Sequence, residues 1–315
     1  MKKIISVLIS AVMVLSLFAA CGKNDSNRIK IGLAAPKATH GWVAGVAYYA
    51  EKYCKANGIE YMLTVSANKT EMEKSIDSLV EWGAQALVVW PQWSGMEEKI
   101  DSVIEKEIPV VAFDVDIQSN GICKVTGNNY EMGYQSAEYI VGKVGEAASI
   151  AVLDVPSVGS VSQLRKQGFY DYLNEIGYDK SNIFEFAERA FSRDCGYEDM
   201  KKLLAEHKKI DAVFSLDDET SIGVIKAIED AGRTDIKAIT GGGGMQEYFG
   251  MIADKKYSYL GLASVLYSPS MIENAIEVAS EIARGNSAAK MVIIPTGIVS
   301  AENVSKYIDN GNKVY

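Results

Sequence analysis

Histidine occurs twice and cysteine four times, with no short spacing shared between them, which argues against a structural zinc site. His40 and His207 stand far apart in unlike contexts, so chemistry built on a histidine cluster is set aside. Six prolines and 27 glycines follow no repeat period, which excludes collagen-like or low-complexity design. Basic residues are outnumbered: 32 Lys and Arg against 41 Asp and Glu leave a net charge of −9, and the basic footprint of a nucleic-acid binder is missing. What is present is an ordinary globular composition, 48% hydrophobic and 23% charged. The length of 315 residues suits two domains at roughly 100–200 residues each.

The first 20 residues read as an export leader rather than as fold. Met1-Lys2-Lys3 is a charged start, residues 4–18 are almost wholly apolar, and Ala19-Ala20 supply the small residues of a cleavage site. Phe18-Ala19-Ala20-Cys21 resembles a bacterial lipoprotein box, with Phe18 in place of the usual leucine and Cys21 as the lipidated first residue of the mature chain. Residues 21–27 are then a polar tether. Loss of Lys2 and Lys3 with the leader takes the net charge from −9 to −11. Cys54, Cys123 and Cys195 remain, an odd number, so a closed disulfide framework is excluded while a single bridge stays open.

From Arg28 onward, short apolar runs alternate with helical patterns. Strands are expected at 29–35, 59–65, 86–90 and 109–113, with helices at 41–57, 69–82 and 96–106 between them. The alternation restarts with a helix at 130–144 and continues through strands at 149–154, 182–186, 212–216, 237–240 and 257–263. A last helix at 270–283 and a last strand at 291–294 close the series. Such repetition predicts right-handed βαβ units, and so two doubly wound parallel sheets covered by helices on both faces. The expected division is a leader at 1–20, a tether at 21–27, a first lobe of 28–127 with 265–290, and a second lobe of 128–264 with 291–315. Crossings between the lobes are expected near 126–129, 264–267 and 295–297.

In open parallel sheets ligands bind beyond the carboxyl ends of the strands, where the strand order reverses. The residues there are Pro36-Lys37, Trp42, Trp90 with Trp93, and Asp114-Val115-Asp116, then Asp154, Asp217-Asp218-Glu219 and Gly241 to Gly244. Carboxylates that accept from neighbouring hydroxyls, beside indole faces that offer apolar walls, suit a polyhydroxylated small molecule. Trp90 and Trp93 either pack the core or meet ligand, and Lys37 either pairs with a carboxylate or meets ligand. Gly241 to Gly244 match neither a Walker loop nor a full dinucleotide fingerprint and read as a tight turn with close ligand approach. Asp114 with Asp116 could pass for a glycosidase acid pair, but no nucleophile–base pair, metal cluster or cofactor loop accompanies them, so no enzyme and no cofactor is expected.

Four segments carry a family resemblance: Ile-Pro-Val-Val-Ala-Phe-Asp at 108–114, Gly-Asn-Asn-Tyr-Glu-Met-Gly at 127–133, Gln-Gly-Phe at 167–169, and Asp-Asp-Glu-Thr-Ser-Ile-Gly at 217–223. In this order, behind an export leader, they resemble the type I periplasmic sugar-binding proteins of ABC importers, of the ribose and galactose kind. The resemblance implies a lobe-closing binder held by a lipid anchor outside the cell membrane, with a sugar-like ligand and an ABC permease as partners. It places Trp42 and Phe191 as aromatic walls, Asp114 as the acceptor of paired sugar hydroxyls, Gln163 where an arginine usually comes from the second lobe, and Asp217 at an amide-or-acid position. Asp116 and Lys37 resemble features of rhamnose and autoinducer-2 binders. A sensing receptor of the same fold, or a binder of a nucleoside or amino compound, is the competing expectation.

Overall fold

The computed structural model describes residues 28–38, 41–312 and 315; the leader, the tether, Cys21 and His40 lie outside them. The first lobe is built from β1 (Lys30–Pro36), α1 (Gly41–Ala56), β2 (Glu60–Ser66), α2 (Lys69–Glu81), β3 (Ala86–Val89), α3 (Glu97–Ile104), β4 (Val110–Phe113) and β5 (Cys123–Gly127). The second follows with α4 (Asn129–Val144), β6 (Ile150–Asp154), α5 (Ser160–Glu175), β7 (Ile183–Ala187), α6 (Arg193–Glu206), β8 (Ala212–Phe214) and α7 (Asp218–Asp230). It continues with β9 (Ala238–Gly243), α8 (Gln246–Ala253) and β10 (Leu262–Leu266). Helix α9 (Ile272–Ala283), β11 (Met291–Ile294) and β12 (Ile298–Ser300) end the series.

The first sheet runs β11-β5-β4-β3-β1-β2 and is parallel throughout. The second runs β12-β10-β9-β8-β6-β7, parallel except for β12, which lies antiparallel to β10. Two-sided burial accounts for the continuous apolar strands. Val88 faces a core shared with Val46 and Ala50 of α1 and Ile276 of α9, while its neighbours Leu87 and Val89 face Met72, Ile76 and Leu79 of α2 and Ile100 of α3. In the second lobe Ala151 and Leu153 of β6 face one core and Ile150 and Val152 the other.

Two doubly wound lobes joined by three crossings is the architecture the alternation predicts. The chain passes between the sheets from β5 to α4, from β10 to α9, and from β11 to β12. Three details differ from expectation. Strands β5 and β12 add to the expected series, because Cys-Lys-Val-Thr-Gly and Ile-Val-Ser lack an apolar run. Residues 291–294, expected in the second lobe, pair with β5 at the edge of the first sheet. The strand expected from 257 begins only at Leu262, because residues 255–257 form a 3-10 turn. Cys54, Cys123 and Cys195 are all free, and burial pushes the Cys54 thiol up to about 12.

Candidate functional site

Both sheets reverse their strand order at matching places, beside β1 and β3 in the first lobe and beside β6 and β8 in the second. The carboxyl ends of these strands face one another across a cleft of about 610 Å³, its mouth included. The lobes touch at its rim: the Gly41 N–H donates to Glu219 Oε1 (3.4 Å) and the Asp116 N–H to the Ser160 hydroxyl (3.3 Å).

The first-lobe wall is aromatic. Trp42, in the first turn of α1, stacks on Phe113 at 6.3 Å and meets Trp90 edge-on at 5.3 Å. Its indole N–H donates to the carbonyl of Tyr267 (2.6 Å), which fixes the ring's orientation from the crossing after β10. Offset and edge-to-face packing of this kind stabilises beyond area burial by about 0.5–1.5 kcal/mol per pair.

Asp114 sits at the end of β4 with a φ of 67°. Few residues besides glycine adopt that left-handed backbone, and those with a short polar side chain, aspartate among them, are the exception. The Asp114 N–H donates to Val125 O and Thr126 Oγ1 donates to Asp114 O, so both peptide groups are held and the carboxylate turns into the cleft. There it accepts from the Tyr267 hydroxyl (2.5 Å). Burial pushes its pKa up, while Tyr267, the positive field of Arg165 and the Trp90 indole draw it back down. Among the described residues the buried Trp90 N–H has no hydrogen-bond partner, and it stands on the cleft wall.

The second lobe answers with Arg165, buried on α5. Its Nε donates to Asn129 Oδ1 (2.9 Å) and its Nη1 to Leu216 O (2.8 Å), and its guanidinium lies over the rings of Tyr267 (4.7 Å) and Phe191 (5.6 Å). Leu216, just beyond β8, has a φ of 62°, which aims its carbonyl at the arginine. Glycines set the arginine's depth. A Cβ on Gly133 of α4 would overlap the Arg165 carbonyl, so the two helices approach as closely as backbones allow. Asp217 lies beside the cleft and caps α7, accepting from the Thr220 N–H (2.7 Å).

Of the residues singled out from sequence, the structure brings together Trp42, Trp90, Asp114, Phe191 and Asp217. Four stand elsewhere. Lys37 is exposed and does not line the cleft. The Asp116 side chain is exposed, paired with Lys124 and accepting from Gln118, and lines a neighbouring cavity. Gln163 is also exposed and lines that same cavity. It is Arg165 that enters the cleft, because residues two apart on a helix point to different faces. Trp93 packs against the first-lobe core under α2 and α3. Sequence reasoning missed Arg165, Tyr267 and Tyr315. Tyr267 directly follows the end of β10 and the strand-end rule could have found it; nothing in the local pattern marks Tyr315.

The glycine run is also corrected. Gly241 to Gly243 belong to β9 and not to a turn. A Cβ at Gly242 would overlap Met132 and one at Gly243 the Tyr315 hydroxyl, so the glycines make room for protein side chains. Beneath them Asp218 is fully buried, with Oδ2 accepting from the N–H groups of Gly244 and Met245 and from the Ser264 hydroxyl. Among the described residues no group of His, Cys, Asp and Glu could hold a metal ion.

Comparison with known proteins bears on this geometry. The model of the periplasmic binding protein domain matches residues 31–287. The ribose import binding protein RbsB of Bacillus subtilis is 27% identical over 310 residues, 94% of this chain and 98% of that protein. Among solved structures, an ABC transporter solute-binding protein from Mycobacterium smegmatis with bound glycerol superposes with a TM-score of 0.80 at 23% identity, covering 91% of this chain and 99% of that one. An ABC transporter periplasmic solute-binding protein from Actinobacillus succinogenes with bound D-allose gives 0.79 at 18% identity, covering 89% and 100%.

Proposed function

The chain belongs to the periplasmic binding protein domain family, and from that premise we propose that it captures a monosaccharide or sugar-like polyol between its lobes and delivers it to an ABC importer. One observation carries the reading. Asp114 from the first lobe and Arg165 from the second converge on a cleft walled by Trp42, Trp90 and Phe191. A carboxylate accepts hydrogen bonds from adjacent hydroxyls, a guanidinium donates to oxygen acceptors, and indole faces cover the apolar faces of a pyranose or furanose. The ligand-binding roles of Trp42, Trp90, Asp114, Phe191 and Asp217 belong to this proposal. The ribose, glycerol and D-allose named for the relatives support this chemical class. Ligand that touches both lobes stabilises the closed arrangement, because only differential contact shifts such an equilibrium.

Thermal denaturation with D-ribose, D-allose, L-arabinose, D-galactose, xylitol and glycerol tests the reading. At least one is expected to raise the midpoint, since a ligand at a hundred times its dissociation constant adds about 2.7 kcal/mol to native stability. A flat response to all six, with a shift by a nucleoside or an amine instead, overturns it.

The proposal includes tethering outside the cell membrane through lipid on Cys21, supported by the Phe18-Ala19-Ala20-Cys21 sequence behind an apolar leader. Cells supplied with labelled palmitate are expected to mark the protein, and Cys21→Ala is expected to abolish the mark. Label persisting in the variant sinks the anchor and leaves the binding reading untouched.

A further inference from the structure

We propose that Tyr315 is a ligand-contacting residue, its hydroxyl donating a hydrogen bond to an oxygen of the bound sugar at the second-lobe end of the cleft. The inference rests on the sugar reading above and assigns a contact from a part of the chain far from every other lining residue. Three independent observations converge on it.

The first is an orphan. Tyr315 is 5% exposed and lines the cleft, yet its hydroxyl has no hydrogen-bond partner among the described residues. A buried hydroxyl without a partner is unfavourable, and native proteins keep few of them. Burial together with the carboxylates of Asp218, Asp217 and Glu219 holds the phenol protonated, so it stands ready as a donor.

The second is a seat shaped for the ring. A Cβ at Gly243, where φ is 134°, would overlap the hydroxyl. On the other side Gly41 and Gly45 of α1 lie alongside the tyrosine, where a Cβ would be in ordinary van der Waals contact with it at 3.5 Å and 3.4 Å. The second lobe thus leaves out a side chain where the hydroxyl sits, and α1 of the first lobe walls the rest of the residue.

The third is a latch that holds the segment in place. Tyr307 O accepts from Gln246 of α8 and the Asp309 N–H donates to Gln246 Oε1, which ties residues 307–309 to the second lobe. Asn312 Nδ2 then donates to the Tyr49 hydroxyl of α1 and to Tyr315 O, which ties Asn312 to the first. Residues 307–309 are therefore held by the second lobe, and Asn312 by the first, close to where Tyr315 enters the cleft.

The test is calorimetric titration of the wild type and Tyr315→Phe with the same six sugars and polyols, with melting of both proteins measured free of ligand. The variant keeps the ring and its packing and loses only the hydroxyl. Its affinity is expected to fall about three- to tenfold, the share of one neutral hydrogen bond, while its ligand-free midpoint stays level or rises because an unsatisfied group is gone. A hydroxyl with a purely structural role would move the midpoint and leave affinity alone. Wild-type affinity in Tyr315→Phe overturns the inference and leaves the sugar reading standing. A wild type that binds none of the six overturns the sugar reading and this contact with it.

Discussion

Replacing Asp114 by alanine is expected to lower sugar affinity by about ten- to a hundredfold in a protein that still folds. The carboxylate is the charged acceptor on the first-lobe wall, and hydrogen bonds to charged groups contribute about 1.5–3 kcal/mol each. At 1.4 kcal/mol per decade that gives the stated loss. Folding survives because Asp114 ends β4 and does not sit within its packed body. Alanine does inherit a left-handed backbone at 67° that suits it poorly, so some stability is lost with the affinity. Asp114→Asn separates the two effects. Asparagine adopts the left-handed region readily and still accepts from the Tyr267 hydroxyl, so its midpoint is expected to match the wild type while affinity falls. Calorimetry and melting on both variants check this. Unchanged affinity in a folded Asp114→Asn would remove Asp114 from the binding site.

Asp218→Ala is expected to be the most damaging of the single changes for stability, by about 3–5 kcal/mol, or roughly 10 °C in melting midpoint. One carboxylate oxygen satisfies the N–H groups of Gly244 and Met245 and the hydroxyl of Ser264, joining α7 to β10 and to the turn after β9. Removing it strands three donors, the Ser264 hydroxyl fully buried and the two N–H groups partly so. The pH dependence has a definite sign. Burial raises the Asp218 pKa from 3.8 to about 7 against the pull of its donors. The native state therefore holds a proton that the unfolded chain has released, and the resulting stability is complete below pH 3.8 and lost as pH rises through about 7. Asp218→Asn cannot titrate, so its midpoint relative to wild type is expected to rise between about pH 4 and pH 8. Melting across that range measures it; parallel curves would mean that the group titrates at its ordinary value.

Much of the fold was legible because both lobes bury strands on two faces, and an unbroken apolar run as short as Leu87-Val88-Val89 marks a strand covered on both sides. The edges were not. Strand β5 is held by β4 on one side and β11 on the other and needs no apolar run of its own. In the cleft, Trp42, Asp114 and Asp217 followed from the rule that ligands meet strand ends, since chain position alone fixes where those residues point. Arg165 depends on helix phase, and a two-residue difference from Gln163 exchanges an exposed face for a buried one. Tyr315 depends on tertiary placement of a segment with no periodicity, and sequence holds no sign of it.

The interleaving of the two lobes also governs when this chain can fold. Synthesis runs from residue 1 upward, yet the first sheet lacks its edge strand β11 and its covering helix α9 until residues 272–294 have been made. The second sheet waits still longer for β12. Neither core closes on local contacts alone, and loops of such length delay the pairing that rewards them. Both halves stay unfinished until the segment from 272 to 300 has been made. That lateness matches the needs of a protein threaded across a membrane before it folds on the far side.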